Sequence, residues 1–208
     1  MSAVKTTHAV TTVSLMGVGG QGILLAASII AETASAAGLR VKTSEVHGMA
    51  QRGGSVRSTV RFGERVYSPV ARCADVVIAT ELLEGHRGLD LLSSGGAVVC
   101  ATTTRIVPGS VARGEEAYPE DLAAAAAARD VRLIAVDAEA LAREAGTLRA
   151  VNVVLLGAAT AVLPFTDETW RRGLAAAVPA KIREVNERAF ALGREAVGSD
   201  DGAERRGD

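Results

Sequence analysis

The sequence predicts an α/β protein, a Rossmann-like open and mainly parallel sheet with helices on both faces and a β-hairpin insertion. Three observations predict it. Short β-branched runs alternate with Ala- and Leu-rich stretches of helical length through most of the chain, the pattern of a sheet covered by crossover helices. A glycine cluster, Gly17-Val18-Gly19-Gly20-Gln21-Gly22, stands between the first of these strands and the first helix. Residues 55–68 alternate with period two around Gly63-Glu64, which reads as a hairpin.

The elements follow in order. Residues 11–16 (TTVSLM) form a buried strand, and residues 22–37 form a helix that Gly38 stops. Residues 39–46 alternate and give a second strand, completing a βαβ unit. After a Gly/Gln/Arg-rich loop at 47–54 come the hairpin strands, 55–62 and 65–68, which Pro69 ends. Residues 75–80 (DVVIAT) are a core strand, followed by a helix over 81–92. Gly95-Gly96 leads into a strand at 97–101, extendable to 107. An Ala-rich helix at 120–129 precedes a strand at 131–136, and Asp137 is placed to cap the helix after it. The apolar helix at 149–163 has no polar face, so it is either central or covered by another subunit. Helices at 167–177 and 180–196 follow. One domain over 1–198 with a frayed tail at 199–208 is the expected organisation.

Composition removes whole classes of function. The chain has 208 residues, 48% of them hydrophobic, enough for a sizeable core. Lys+Arg total 23 and Asp+Glu 24, a net charge of -1, which leaves no polybasic footprint for nucleic acid. Aromatic residues are only 3%, too few for base-stacking platforms. The two cysteines, Cys73 and Cys100, cannot build a four-thiolate cluster or a Cys-rich zinc site. No metal ligands are expected on this chain, so any redox metal belongs to another one. No long apolar segment precedes the glycines, and the expected location is the cytoplasm.

The glycine cluster fits G-x-G-x-x-G in the context that gives the motif weight, after a strand and opening a helix. A helix N-terminus offers unpaired backbone N–H groups and a positive dipole end, and glycines let a phosphate approach them. Gly17, Gly19, Gly20, Gln21 and Gly22 are therefore candidate ligand residues for a phosphate or pyrophosphate compound. A dinucleotide would also want an acidic residue about 20 positions on, and Glu45 stands near that place. No G-K-S/T follows, so the cluster is not a Walker loop. A stand-alone NAD(P)- or flavin-binding reductase and a non-catalytic nucleotide-binding regulatory protein both fit this much.

The second rich stretch, Thr43-Ser44-Glu45-Val46-His47-Gly48-Met49-Ala50-Gln51-Arg52-Gly53-Gly54-Ser55, lies at the carboxyl end of a strand, where open α/β sheets bind ligands. GVGGQG, then SEVHGMAQRGGSV, then VR-x-G with Tyr67-Ser68-Pro69, together resemble the γ-type domain of the 2-oxoacid:ferredoxin oxidoreductases. The likeness is strongest to the small-subunit branch that acts on arylpyruvates such as indolepyruvate. Asn152 in VNVVLLGA is similar to the Asn-x-x-x-Leu-Gly segment late in such domains. The resemblance spans roughly residues 14–161.

The resemblance implies a non-autonomous subunit of an enzyme that decarboxylates a 2-oxoacid on thiamine diphosphate. Such an enzyme passes electrons through iron–sulfur clusters to ferredoxin and releases the acyl group on coenzyme A. This chain has no thiamine-type Gly-Asp-Gly and no Cys-x2-Cys-x2-Cys run. Thiamine diphosphate, magnesium and the clusters are thus expected on a larger partner, with this chain closing the site and helping to hold coenzyme A. Arg52 is the candidate phosphate contact, because a guanidinium grips an anion through two parallel N–H groups. Glu45, Gly53, Gly54 and Ser55 complete the cofactor-binding set. His47 can carry a proton near neutrality and Gln51 has both donor and acceptor, so these two are the candidate catalytic groups, in supporting roles.

Overall fold

The computed structural model describes residues 10–47, 54–115 and 117–200. Its centre is one six-stranded sheet of order β2-β3-β1-β4-β5-β6. The strands are β1 (Thr11–Val18), β2 (Arg40–His47), β3 (Ser55–Gly63), β4 (Ala74–Ala79), β5 (Leu92–Ala101) and β6 (Arg132–Val136). β1, β4, β5 and β6 run parallel. β3 is antiparallel to both neighbours, β1 and β2.

That placement of β3 corrects the hairpin reading. β3 is paired on both edges, from Thr11↔Phe62 to Val18↔Ser55 on one side and from Arg40↔Gly63 to His47↔Val56 on the other. No edge is left for residues 65–68, which run as coil. The antiparallel ribbon in this fold is β2–β3. The coil is clipped instead by Arg61, whose Nη1 donates to the carbonyls of Ser68 (2.6 Å) and Val70 (2.9 Å).

The helices are α1 (Ile23–Ala36), α2 (Leu82–Leu89), α3 (Gly109–Ala112), α4 (Leu122–Ala127), α5 (Ala138–Ala145), α6 (Val151–Ala158), α7 (Asp167–Ala177) and α8 (Arg183–Asp200). They cover both faces, as the alternation of strands and helices predicts. On one face Leu15, Val60, Phe62, Ile78 and Val99 pack with α1, α5, α6, α7 and α8. On the other Met16, Val77, Val98 and Cys100 pack with Leu82, Leu89, Leu122 and Ala126 of α2 and α4. Period-two alternation along each strand produces this division. Phe62, Phe165, Trp170 and Phe190 form a chain of ring contacts at 4.8, 5.4 and 5.3 Å in the larger core.

Local chemistry sets the ends. Gly38, at φ 79°, closes α1 with Leu39 N–H donating to Ala34 and Gly38 N–H to Ser35, a Schellman pattern. Asp137 caps α5 by accepting from Ala140 N–H, as the sequence indicates. The apolar stretch at 149–163 is shorter as a helix than its composition suggests: α6 is flanked by 3₁₀ turns at Leu148–Ala150 and Ala159–Ala161. Of the two options left by its composition, α6 takes the central one, so it is not a docking face. Val153, Val154, Leu155 and Leu156 are fully buried. α8 crosses α6 closely because Gly157 meets the Phe190 carbonyl and Gly193 the Val154 carbonyl, with no room for a Cβ at either. α8 continues to Asp200, past the expected start of the tail. No helix among the described residues is long and apolar enough to cross a membrane.

Candidate functional site

The glycine turn sits at the carboxyl end of β1, beside the carboxyl end of β4, on the edge of the sheet where ligands enter such folds. Its glycines do different work. Gly17 still belongs to β1, and a Cβ there would collide with Thr80 Oγ1 and stand 2.7 Å from Ile23 Cδ1. Gly22 is the N-cap of α1 in the left-handed region (φ 71°), and a Cβ would stand 2.6 Å from Asn152 Nδ2. Gly20, at φ 103°, has open space where a Cβ would be.

Gln21 folds back as a brace rather than reaching outward. Its Oε1 accepts from Val18 N–H (2.7 Å) and from Thr80 Oγ1 (2.7 Å), while Nε2 donates to the Thr80 carbonyl (3.4 Å). Thr80 in turn donates its N–H to Met16. Asn152, 1% exposed, donates Nδ2 to the Gly22 carbonyl at 2.8 Å. These bonds fix the turn from β1, β4 and α6 together. They leave the N–H groups of Gly20, Gly22, Ile23 and Leu24 without acceptors among the described residues, and α1 has no side-chain cap. An array of free donors at a positive helix end is an anion site in physical terms.

The second motif meets the first through its far end. Gly19 N–H donates to the Gly54 carbonyl at 3.0 Å, and Ser55 Oγ donates to Glu84 Oε2 at 2.8 Å. His47 is the last residue of β2, in register with Val56. Gln51, Arg52 and Gly53 lie outside the described residues. Glu45 is not brought to the glycine turn: it is exposed on β2, in register with Ser58, with β3 between it and β1. Two strand spacings, about 10 Å, separate β2 from β1. A dinucleotide site needs that acidic residue on the strand next to the glycine turn, so the geometry counts against the NAD(P) reading.

Sequence reasoning missed a buried polar cluster beside the turn. Glu81 and Glu84 are each 1% exposed. Glu81 caps α2 by accepting from Glu84 N–H (2.6 Å), and its Oε2 accepts from Tyr118 Oη (2.7 Å). Glu84 pairs with Arg87 at 2.7 Å. Burial first, and then the Glu81 contact, pushes the Tyr118 phenol up. Burial, reinforced by the Glu81 charge, pushes the Cys100 thiol up to about 12. Cys100 is therefore a neutral core group, while Cys73 is exposed. The available signal was Glu-x-x-Glu directly after a buried strand, a carboxylate spacing with both members at a helix start. No group of three or more His, Cys, Asp or Glu able to hold a metal occurs among the described residues.

With the sheet order, the glycine turn and its clasp to the second motif in place, the comparison with known proteins is direct. The chain belongs to the family described as "Pyruvate ferredoxin/flavodoxin oxidoreductase", which matches residues 12–196. Among its relatives is the "Indolepyruvate oxidoreductase subunit IorB" of Thermococcus kodakarensis, 41% identical in an alignment that covers 88% of this chain and 94% of that protein. The protein of the same name from Pyrococcus horikoshii is 40% identical over the same shares. Among solved structures, the γ subunit of a keto/oxoacid ferredoxin oxidoreductase from Geobacter sulfurreducens has the same fold. Its TM-score is 0.69 at 23% identity, covering 91% of this chain and 99% of that one. The 2-oxoglutarate:ferredoxin oxidoreductase of Magnetococcus marinus, solved with 2-oxoglutarate, coenzyme A and succinyl-CoA, superposes with TM-score 0.72 at 22% identity. It covers 91% of this chain and 31% of that chain. The resemblance carried by the glycine motifs thus extends over nearly the whole chain.

Proposed function

We propose that this chain is the small subunit of an oxidoreductase that converts an arylpyruvate such as indolepyruvate, with coenzyme A and oxidised ferredoxin, to the acyl-CoA, carbon dioxide and reduced ferredoxin. The observation that carries the reading is the clasped glycine turn, with the free N–H groups of Gly20, Gly22, Ile23 and Leu24 at the positive end of α1. Coenzyme A brings a pyrophosphate and a ribose phosphate, anions of the kind such a turn receives. The substrate reading draws its support from the relatives named as indolepyruvate oxidoreductase subunits.

In this reading the chain binds and orients. The N–H array of the turn holds a phosphate group of coenzyme A, each charge-assisted bond contributing about 1.5–3 kcal/mol. Arg52 adds the second grip. Gln21, Thr80 and Asn152 keep the turn in shape before the ligand arrives, which lowers the ordering cost of binding. His47, the last residue of β2, and Gln51 are assigned the supporting roles of excluding water and hydrogen-bonding the 2-oxoacid. Thiamine diphosphate supplies the stabilised carbanion chemistry that decarboxylation needs. It is assigned, with its magnesium and the iron–sulfur clusters, to the larger partner.

The test is co-expression with a thiamine-bearing large subunit, followed by indolepyruvate-dependent ferredoxin reduction. The reading expects turnover only with both chains and coenzyme A present. Turnover by this chain alone with NAD(P)H or a bound flavin would refute it.

A further inference from the structure

We propose that this chain carries a second ligand site, away from the glycine turn, that takes a small oxyanion such as a phosphate or carboxylate group. It is a pocket of about 110 Å³ between the β1-β3-β2 part of the sheet and the segment 69–74 that passes over it. α2 and α4 cover the β4-β5 side of this face. Among the described residues, the clipped coil is what lies above the β1-β3-β2 side.

The lining is built for an anion. The strand registers put Thr12 beside Arg61, Ser14 beside Thr59 and Thr59 beside Ser44, so hydroxyls form the floor. Arg57 and Arg72 stand in the wall, and no carboxylate lines it. Neither guanidinium has a hydrogen bond or ion pair among the described residues. The neighbouring carboxylate, Asp75, is committed to Thr12 N–H (2.8 Å) and faces Ser93 Oγ (3.4 Å).

Ser14 points to the ligand most directly. It is 3% exposed, it lines the pocket, and its Oγ has no hydrogen-bond partner. A buried hydroxyl left unmatched costs about 1–3 kcal/mol. An oxyanion held by Arg57 and Arg72 supplies the missing acceptor. Arg61, another cation of this face, is used up in the clip to Ser68 and Val70 and in a bond to Thr12 Oγ1 (3.3 Å). The clip holds the roof of the pocket in place. Val46 and Val70, 52% and 70% exposed, flank the pocket and leave room for an apolar remainder on the ligand.

Cys73 provides a reporter, because it is exposed and also lines the pocket. The experiment measures the rate of Cys73 alkylation by N-ethylmaleimide in the full chain, read by mass spectrometry. Inorganic phosphate and acetate are titrated in separate arms, against sodium chloride at matched ionic strength. We expect a several-fold, saturable slowing by at least one of the two oxyanions, and the more effective arm distinguishes phosphate from carboxylate chemistry. Arg57→Gln should abolish the protection. Ser14→Ala should weaken it while leaving the urea midpoint of the ligand-free chain unchanged or raised, since it removes an unmatched hydroxyl. Slowing no greater than with sodium chloride in both arms, or protection that survives Arg57→Gln, overturns the proposal.

Discussion

The backbone N–H of Gly19 donates to the carbonyl of Gly54 at 3.0 Å, so the two glycine motifs of this chain are one structural unit. Residues far apart in sequence are joined at the point where β1 ends and β3 begins, Val18 facing Ser55 in the antiparallel register. The anchor continues through Ser55 to Glu84 and from Glu84 to Arg87. The turn at the head of α1 is therefore tied to the start of β3 at this end.

Gly20 is the position where ligand binding and folding separate best. It has φ 103° with open space around a Cβ, so alanine meets no collision and pays only the left-handed strain, about 1–2 kcal/mol. Gly20→Ala should assemble with the large subunit and show a raised KM for coenzyme A, with the KM for the 2-oxoacid little changed. Steady-state kinetics of the complex check this. Equal shifts in both KM values would remove Gly20 from the phosphate contact.

Glu84→Gln tests the clasp. The amide can still accept from Ser55 but loses the ion pair to Arg87, which lies over a nearly fully buried carboxylate. Urea unfolding should show a loss of about 1–3 kcal/mol. Ser55→Ala removes the hydroxyl donor to the same carboxylate and should cost about 1–2 kcal/mol. The Ser55 bond is charge-assisted only while residue 84 is a carboxylate, so the double variant should cost somewhat less than the sum. Strict additivity would show that the carboxylate charge does not strengthen the Ser55 bond.

Much of this was legible in the sequence, and the exceptions have a common cause. β1, α1, β4, β6 and α7 follow from local pattern, because β-branched runs and apolar periodicity are properties of adjacent residues. Even the helix at 167–177 is matched in both its limits. The pairing of β3 was not legible, since it depends on which strand edges remain free, a property of the whole sheet. The same holds for the site. The glycines announce a turn, but Gln21 as its brace and Asn152 as its far support appear only once β4 and α6 are in place. Glu45 stands at the right distance in sequence for a dinucleotide site and on the wrong strand in space.

Alkaline pH should destabilise the chain through Cys100. Burial, then the Glu81 charge, pushes this thiol from the ordinary 9.0 up to about 12. Between those values the unfolded chain has released the proton and the folded chain has kept it. The folded state then binds more protons, so stability falls as pH rises through that window, by at most about 1.4 kcal/mol per unit. Tyr118, also pushed up by burial, contributes with the same sign. Urea unfolding at intervals from about pH 8 to about pH 11 measures the slope, and Cys100→Ala should reduce it whatever its own effect on stability at neutral pH. A slope identical in the two proteins would exclude the thiol as its source.

The pairing of Gly22 with Asn152 makes the sharpest prediction about why the first motif ends in glycine. Two separate penalties meet any other residue there. One is conformational: φ is 71°, a region that costs an L side chain about 1–2 kcal/mol. The other is steric, because a Cβ would stand 2.6 Å from Asn152 Nδ2, on a side chain held in place by its bond to the Gly22 carbonyl. Gly22→Ala should thus lose more than the backbone strain alone, about 2–4 kcal/mol in urea unfolding. Asn152→Ala alone loses the hydrogen bond and some packing, about 1–3 kcal/mol. In the double variant the collision is gone and only the backbone strain is added to the Asn152 loss, so its total should fall below the sum of the singles by at least about 1 kcal/mol. A non-steric role for the glycine, in which it serves only to reach the left-handed region, predicts instead that the two losses add. The cycle decides between these, and it does so in the isolated chain, without reference to any ligand.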